Sequence, residues 1–171
     1  AHDAGARVVV IDADKPGRGA STRNGGMVGA HPRLGWDALK ATFGAEVADG
    51  LFAEATVAFD WVANLIRTEA IDCDFQKTGR IQLAYTQKHF ENQKLTAEHL
   101  LQKTNVKCET IERPDIVREI ATPLYQGALL FPDHGALNPA KYHRGLLTVL
   151  LKRGVPVVAD CAAVAFERDG V

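Results

Sequence analysis

A strand-like run that ends in an acid and opens onto a glycine-rich loop constrains the fold of this chain most. Residues 8–11 (VVVI) are continuously β-branched and apolar, and Asp12 follows them directly. Such a run predicts a parallel strand buried on both faces, because that environment needs no alternation of polar and apolar side chains. Ligands of open α/β sheets bind beyond the carboxyl ends of the strands. The pattern therefore predicts a ligand site between Asp12 and the loop of residues 17–26.

The residue types at this site predict its chemistry. Asp12 can accept hydrogen bonds from both hydroxyls of an adenosine ribose, and the alternative is an ordinary turn acid. Gly17, Gly19, Gly25 and Gly26 let the backbone approach a planar or phosphorylated ligand, because glycine has no Cβ and adopts positive φ. Consecutive backbone amides in such a loop can bind anionic oxygens. Together these features predict half of a dinucleotide site.

The rest of the chain alternates between helical and strand-like patterns. Residues 1–4 have the character of a last helical turn that Gly5 ends as a left-handed cap. Apolar residues at three- and four-residue steps predict a helix over residues 46–69, and Asn138 and Pro139 predict the start of a helix over residues 140–153. The other expected elements are strands over residues 80–86, 106–111, 155–159 and 162–168, helices over residues 87–103 and 114–120, and a hairpin turn at Asp169-Gly170.

Four blocks of sequence carry a resemblance to a known family. They are residues 19–26 (GASTRNGG), 78–85 (TGRIQLAY), 135–142 (GALNPAKY) and 154–158 (GVPVV). In this order they resemble the FAD-dependent oxidoreductases of the D-amino-acid oxidase superfamily, particularly the γ-glutamylputrescine oxidase-like members. The resemblance spans nearly the whole chain, although Thr22 stands where the family usually has glycine or serine. It implies FAD as the cofactor, which this chain need not retain by itself.

The resemblance implies an α/β fold. We expect a partial doubly wound, Rossmann-like FAD-binding domain lacking its first strand, formed by residues 1–72 and 135–171, with part of an α+β substrate domain over residues 73–134. The sequence lacks the Gly-x-Gly-x-x-Gly turn that opens such a domain, and only Val171 follows the expected hairpin turn. We therefore expect an internal piece of a longer flavoprotein. The alternative is a complete small α/β domain.

The resemblance also implies which residues contact the cofactor. The loop residues would lie along the FAD pyrophosphate, ribityl chain and ring, and the backbone of Val164 would meet the adenine. Arg23 has an equally good alternative as a residue that ties the loop to a helix, and Val164 has the alternative of a core valine. The full set of cofactor-binding candidates is Asp12, Gly19, Ala20, Ser21, Arg23, Asn24, Gly25, Gly26 and Val164.

Arg80, Gln82, Tyr85 and His134 are the substrate-facing candidates, each with the alternative of a surface or packing residue. An arginine that faces the site would clamp a carboxylate and favour amino acids, whereas its absence would suit polyamines. The sequence singles out no catalytic acid or base. In a flavoenzyme the cofactor carries the redox chemistry, while the protein orients the substrate, excludes water and sets the electrostatics.

The implied function is oxidation of a C–N bond in an amine or amino acid to an imine, with FAD accepting the hydride from a CH–NH or CH–NH2 group. We expect this activity of the parent enzyme and little of the chain alone. Two alternatives stay open: a non-catalytic fragment or subunit that completes its sheet with another chain, and a small nucleotide-binding α/β domain without redox activity. Because unpaired strand edges promote association, we expect a homo-oligomer or swapped dimer.

Charge, hydropathy and cysteine content argue against several other classes. The 171-residue chain has a formal net charge of -1 at pH 7, which gives no electrostatic footprint for nucleic acid. No apolar run reaches the roughly 18 residues that cross a bilayer. Cys73, Cys108 and Cys161 have neither disulfide nor metal spacing, and the six histidines have no metal spacing. We expect a cytoplasmic protein that binds a small amine or amino acid and no metal, nucleic acid or membrane.

Overall fold

The computed structural model describes residues 1–167, which form two compact units. Unit 1 comprises Ala1–Gly26, Ile66–Asp74 and the described residues from Leu137 onward, and unit 2 comprises Met27–Leu65 and Phe75–Ala136. These units differ from the predicted division over residues 27–65 and 135–136, which belong to unit 2, and over residues 73–74, which belong to unit 1. The assignment of flavin binding to one part and substrate binding to the other stays a prediction.

Four α-helices and seven short strands make up the regular structure of the described residues. In chain order they are β1 (Val10–Ile11), β2 (Met27–Val28), α1 (Trp36–Phe43), α2 (Ala45–Thr68), β3 (Arg80–Ala84), α3 (Gln87–Lys103), β4 (Glu109–Glu112), β5 (Gly127–Phe131), β6 (Gly135–Ala136), α4 (Pro139–Lys152) and β7 (Val157–Val158). Short 3₁₀ helices cover His2–Ala4 and Arg113–Arg118. No helix within residues 1–167 has both the length and the apolarity to cross a membrane.

Unit 1 contains the parallel pair that the sequence predicts. β1 pairs with β7 in parallel, with Val10 opposite Val157. Gly5 has φ of 86° and ends the first 3₁₀ turn in the left-handed conformation, as expected. The predicted burial of the first strand is wrong, since Val9 is 58% exposed and Ile11 is 43% exposed. Strand β1 is two residues long, and within the described residues it pairs only with β7. A sheet of this size buries little surface.

The strand predicted over residues 162–168 is also wrong where it is described. Residues 162–167 have no strand structure, and the side chains of Val164 and Phe166 are 94% and 95% exposed. A strand requires a partner for its backbone groups. The last such contacts in this segment join the amides of Asp160 and Cys161 to the carbonyl oxygens of Asp14 and Asp12. The hairpin predicted at residues 169–170 lies outside the described residues.

Unit 2 is built on a three-stranded antiparallel sheet in the order β3-β5-β4. Helix α3 packs on this sheet through Gln93, whose Nε2 donates to the carbonyl oxygen of Gln82 at 2.9 Å. Gly127 on β5 allows the contact, because a Cβ there would lie 2.3 Å from the ring of Phe90. The larger core cluster comprises Trp36, Leu39, Ala48, Phe52, Ala97, Leu100, Val106, Leu129 and Phe131.

Candidate functional site

Asp12 lies at the carboxyl end of β1, as the sequence predicts. Its backbone amide donates to the carbonyl oxygen of Val158 on β7, so the parallel pairing extends to this residue. The side chain Oδ1 accepts the amide of Asp14 at 2.9 Å, which is an Asx turn. The other carboxylate oxygen, Oδ2, has no hydrogen-bond partner among residues 1–167 and can accept from a ligand. The structure thus shows the turn role of Asp12, and the ribose role stays a prediction.

Side chains of the following loop hold its shape. Thr22 Oγ1 donates to the carbonyl oxygen of Gly17 at 2.5 Å. Asn24 Nδ2 donates to the carbonyl oxygen of Ala20 at 3.0 Å, and Asn24 Oδ1 accepts the amide of Gly26 at 2.8 Å. These bonds replace regular secondary structure over the loop. Thr22, the residue that departs from the family pattern, is therefore part of this bracing.

Arg23 has a structural role in this loop. Its Nη2 donates to the carbonyl oxygen of Arg18, and its Nε lies 3.5 Å from the carbonyl oxygen of Gly19. The guanidinium therefore ties two parts of the loop together. This supports the alternative interpretation of Arg23, with the tie made within the loop, and its contact with a cofactor stays a prediction.

The loop glycines fall into two classes. Gly26 is buried with φ of 66°, and a Cβ there would lie 2.0 Å from the carbonyl oxygen of Leu137, so the fold itself requires glycine. Gly19 and Gly25 are exposed, and a Cβ at either would have no heavy atom within 4 Å. Within residues 1–167 the amides of Gly19, Ala20 and Ser21 donate to no protein acceptor. An open, amide-bearing surface of this kind suits the anionic and planar parts of FAD.

Val164 lies three residues after Cys161, whose amide donates to the carbonyl oxygen of Asp12. Because the side chain of Val164 is 94% exposed, its alternative as a core valine is wrong. The contact of its backbone with adenine stays a prediction.

Three of the four substrate-facing candidates lie together in unit 2. Arg80, Gln82 and His134 line one cavity of about 230 Å³. Tyr85 does not line it, because its ring packs edge-on against Tyr125 with the centroids 5.0 Å apart. The hydrogen bond that the Tyr125 hydroxyl donates to Tyr85 favours the protonated form and is the main cause of the raised pKa of Tyr125.

The cavity has four further lining residues that the sequence did not single out: Met27, Gly29, His31 and Arg33. They occupy every second position of residues 27–33, in which only Met27–Val28 is strand. Arg80 and Gln82 on β3 show the same two-residue spacing. The two-residue spacing of the basic side chains His31 and Arg33, directly after the glycine block, was the sequence signal that could have identified them.

His134 is the most strongly perturbed group in the cavity. The residue is only 5% exposed, and its Nε2 has no hydrogen-bond partner among residues 1–167. Burial is the main cause that lowers the pKa of His134 to about 4, followed by electrostatic repulsion from the neighbouring His31 and Arg80 side chains, against the opposing effect of Asp133. His134 is therefore neutral near pH 7 and packs 4.9 Å from the ring of His31, measured between centroids.

His31 has a defined hydrogen-bonding state. Its Nδ1 lies 2.8 Å from the carbonyl oxygen of Pro32. A carbonyl can only accept, so Nδ1 carries hydrogen and the neutral ring presents a lone pair at Nε2. That Nε2 is buried and has no partner in the described chain. Among residues 1–167, no group of three or more histidine, cysteine or acidic side chains could hold a metal ion.

A comparison with family models decides the classification. The model described as "FAD dependent oxidoreductase" (DAO) matches residues 1–171, which is the whole chain. The chain belongs to this family. The predicted resemblance is thereby confirmed, and the family's use of FAD agrees with the open loop beside Asp12.

Two curated relatives illustrate the similarity within the FAD-dependent oxidoreductase family. The chain is 30% identical over 137 residues to the gamma-glutamylputrescine oxidoreductase of Escherichia coli (strain K12), covering 80% of this chain and 32% of that protein. It is 25% identical over 167 residues to the probable oxidoreductase OrdL of Rhizobium meliloti (strain 1021), covering 97% of this chain and 39% of that protein. The chain thus spans about a third to two-fifths of the length of these relatives.

Solved structures share the fold at lower identity. Glycine oxidase from Geobacillus kaustophilus superposes with a TM-score of 0.75 at 16% identity, over 90% of this chain and 40% of that chain. L-amino acid deaminase from Proteus vulgaris gives a TM-score of 0.73 at 17% identity, over 98% of this chain and 37% of that chain. The predicted fold class, a partial α/β FAD-binding fold with part of a second domain, is confirmed.

Proposed function

We propose that this chain supplies FAD-binding and substrate-contacting residues to a flavin-dependent oxidoreductase that oxidises a C–N bond of an amine or amino acid to an imine. The family match over residues 1–171 carries this proposal. The names of the relatives support the substrate class, because gamma-glutamylputrescine, glycine and L-amino acids all contain an amine-bearing carbon. Bound FAD would supply the acceptor for the hydride equivalent from that carbon, and the imine would then be hydrolysed by water.

The two units have different parts in this proposal. Unit 1 binds the dinucleotide: Asp12 accepts from the ribose, and the open amides of Gly19, Ala20 and Ser21 donate to the pyrophosphate. Ser21, Arg23, Asn24, Gly25, Gly26 and Val164 complete the proposed cofactor set. Unit 2 contributes the substrate contacts Arg80, Gln82 and His134. Tyr85 is the weakest of the proposed substrate residues, because it does not line the cavity and its ring packs edge-on against Tyr125.

A titration of FAD with purified chain tests the cofactor site. Gly25→Val introduces a side chain where nothing in the described chain lies within 4 Å of the Cβ, and the φ of Gly25 is not positive. We therefore expect a folded variant whose FAD affinity falls about tenfold or more, which corresponds to about 1.4 kcal/mol. Quenching of flavin fluorescence gives the affinity, and circular dichroism reports folding.

Gly50→Ala is the matched control for this titration. Gly50 is exposed on helix α2, and a Cβ there also meets nothing within 4 Å. This variant should bind FAD as tightly as the unchanged chain. If the unchanged chain and Gly50→Ala are both folded and bind no FAD, the cofactor proposal is contradicted. If Gly25→Val binds FAD as tightly as the unchanged chain, the role of the loop is contradicted.

The exposed apolar residues of unit 1 support association with another chain. Val9, Ile11 and Val158 flank or form the β1–β7 pair and are 43–58% exposed, and Phe166 is 95% exposed. We propose that a second copy covers this surface, as a homo-oligomer or a swapped dimer. Sedimentation equilibrium tests this with Val9→Lys, which should shift the chain toward the monomer. Val57→Lys is the control because Val57, on helix α2, is 59% exposed. Equal assembly of both variants would contradict the proposal.

We also propose that the protein works in the cytoplasm. No disulfide joins Cys73, Cys108 or Cys161, and reduced thiols are typical of that compartment. Fractionation of cells that express the protein tests the location. Recovery of the protein outside the cytoplasmic fraction would contradict it.

A further inference from the structure

The cavity in unit 2 concentrates positive charge without a matching acid. Arg33 and Arg80 line it, and neither guanidinium forms an ion pair with a carboxylate of residues 1–167. His31 and His134 belong to the same lining, and their ring centroids lie 4.9 Å apart. A charged group in a partly enclosed space is stable when an opposite charge accompanies it. The arrangement is therefore suited to an anionic ligand.

The nearest acid does not neutralise this charge. Asp133 lies next to His134 in the chain, but its two carboxylate oxygens are held by Lys77 at 2.5 Å and by Lys107 at 3.2 Å. The hydrogen bond from Lys77 is the main reason that the pKa of Asp133 is lowered. This acid is thus committed to two lysines that do not line the cavity.

The size and chemistry of the cavity define the ligand further. A volume of about 230 Å³ is below the roughly 300–1,000 Å³ of sites for drug-sized ligands, so the occupant is small. Guanidinium groups pair with carboxylates in a planar, two-bond geometry. Two guanidiniums match two carboxylates, and the amide of Gln82 adds a neutral donor and acceptor.

We propose that this cavity is a binding site for a small dicarboxylate, held by Arg33 and Arg80 with His134 as a third contact. If the dicarboxylate is the amine-bearing substrate, this proposal specifies the substrate of the proposed oxidoreductase and rests on that proposed function. Binding of the dicarboxylate itself requires no flavin. Failure of one proposal therefore leaves the other open to its own test.

Proton uptake accompanies binding in this arrangement. The groups that act on His134 are His31 and Arg80, which disfavour its protonation, and Asp133, which favours it. A carboxylate bound beside the imidazole offsets the repulsion from His31 and Arg80. The pKa of His134 then rises toward its ordinary value, and affinity for the dicarboxylate increases as the pH falls from neutral toward that new pKa.

The test uses three four-carbon probes on the purified chain without FAD. Succinate has two carboxylates, butyrate has one, and 1,4-diaminobutane has two amines on the same chain length. Imidazole resonances followed by NMR report binding, and loss of one signal in His134→Asn assigns the resonance of that residue. We expect succinate to bind about tenfold or more tightly than butyrate and to raise the pKa of His134. We expect 1,4-diaminobutane to leave the His134 resonance unchanged.

Matched variants separate site binding from loss of surface charge. Arg33→Gln and Arg80→Gln should each weaken succinate binding at least tenfold, whereas Arg118→Gln removes the same charge from an exposed residue of unit 2 outside the cavity and should have no effect. Circular dichroism checks that each variant is folded. If Arg80→Gln does not fold, Arg33→Gln decides alone, because Arg33 is exposed. Equal binding of succinate by Arg33→Gln and Arg118→Gln, no pKa change at His134, or preferential binding of 1,4-diaminobutane would each overturn the proposal.

Discussion

Gly26 and Gly25 are neighbours with different constraints. Gly26→Ala would force a Cβ to within 2.0 Å of the carbonyl oxygen of Leu137 at φ of 66°. The backbone must shift to relieve this contact, and positive φ is unfavourable for alanine. We expect Gly26→Ala to destabilise the chain by about 3 kcal/mol or more, since strain and a backbone clash add.

Chemical denaturation measures this difference. Gly25→Ala is the matched control, because its Cβ would meet nothing within 4 Å, and a surface change of this kind costs about 0.5 kcal/mol or less. If both variants had the same midpoint, the close contact of Gly26 with Leu137 would not limit stability.

His134 makes a pH-dependent contribution to stability. Its pKa is about 4 in the folded chain, whereas the ordinary pKa of a histidine is 6.5. Between these values the unfolded chain binds a proton that the folded chain does not, so stability decreases as the pH falls from about 6.5 to about 4. The full effect is about 3 kcal/mol, at 1.36 kcal/mol for each pH unit of the difference.

Comparison with variants isolates this term. The unfolding free energy of the unchanged chain, minus that of His134→Asn or His134→Leu, should decrease by about 3 kcal/mol when the pH is lowered from 7 to 4. Both variants lack the titrating ring, so both should give the same trend despite their different packing. A difference that does not vary with pH would contradict the buried, neutral state of His134.

Helix α4 shows how a cap and a glycine specify an element. Asn138 Oδ1 accepts the amides of Ala140 and Lys141 at 3.1 Å each. Loss of such a cap typically costs about 1 kcal/mol. We expect Asn138→Ala to destabilise unit 1 by that amount and Asn138→Asp, which keeps the acceptor, to stay close to the unchanged chain. Thermal melts compare them, and equal loss in both variants would show that the amide group matters for another reason.

Elements with a local signal could be predicted from the sequence. Helix α3 covers residues 87–103 as expected, and α2 and α4 begin and end within one residue of their predicted limits. The three- and four-residue steps of α2 include Leu51 but not Phe52, yet Leu51 is exposed and Phe52 is buried. Packing partners far along the chain decide which neighbour faces the core, and periodicity alone does not contain them.

Elements that depend on tertiary partners were missed or displaced. Strand β5 forms the centre of the sheet in unit 2, but its sequence (GALLF) lacks the alternation of a half-buried strand because its residues pack on both faces. The strand expected over residues 106–111 lies instead at Glu109–Glu112, where it pairs with β5. Register along a partner strand sets such boundaries.

At the scale of the whole chain, averages concealed the candidate site in unit 2. A net charge of -1 indicates no anion-binding surface, yet Arg33, Arg80, His31 and His134 line one cavity. Contacts between distant segments create this local excess. The glycine loop, by contrast, is contiguous in sequence, so the motif itself predicted its position beside Asp12.

The division into two units predicts where each ligand stabilises the chain. A ligand that binds the native state stabilises it by about 2.7 kcal/mol at a concentration 100 times its dissociation constant. At that occupancy FAD should slow amide exchange most in residues 13–26, which contain the open amides, and succinate should slow it most in residues 27–33 and in β3. Hydrogen exchange with mass spectrometry resolves these segments. FAD that leaves residues 13–26 unprotected would contradict the loop as its binding site, and Gly25→Val should lose that protection while keeping the response to succinate.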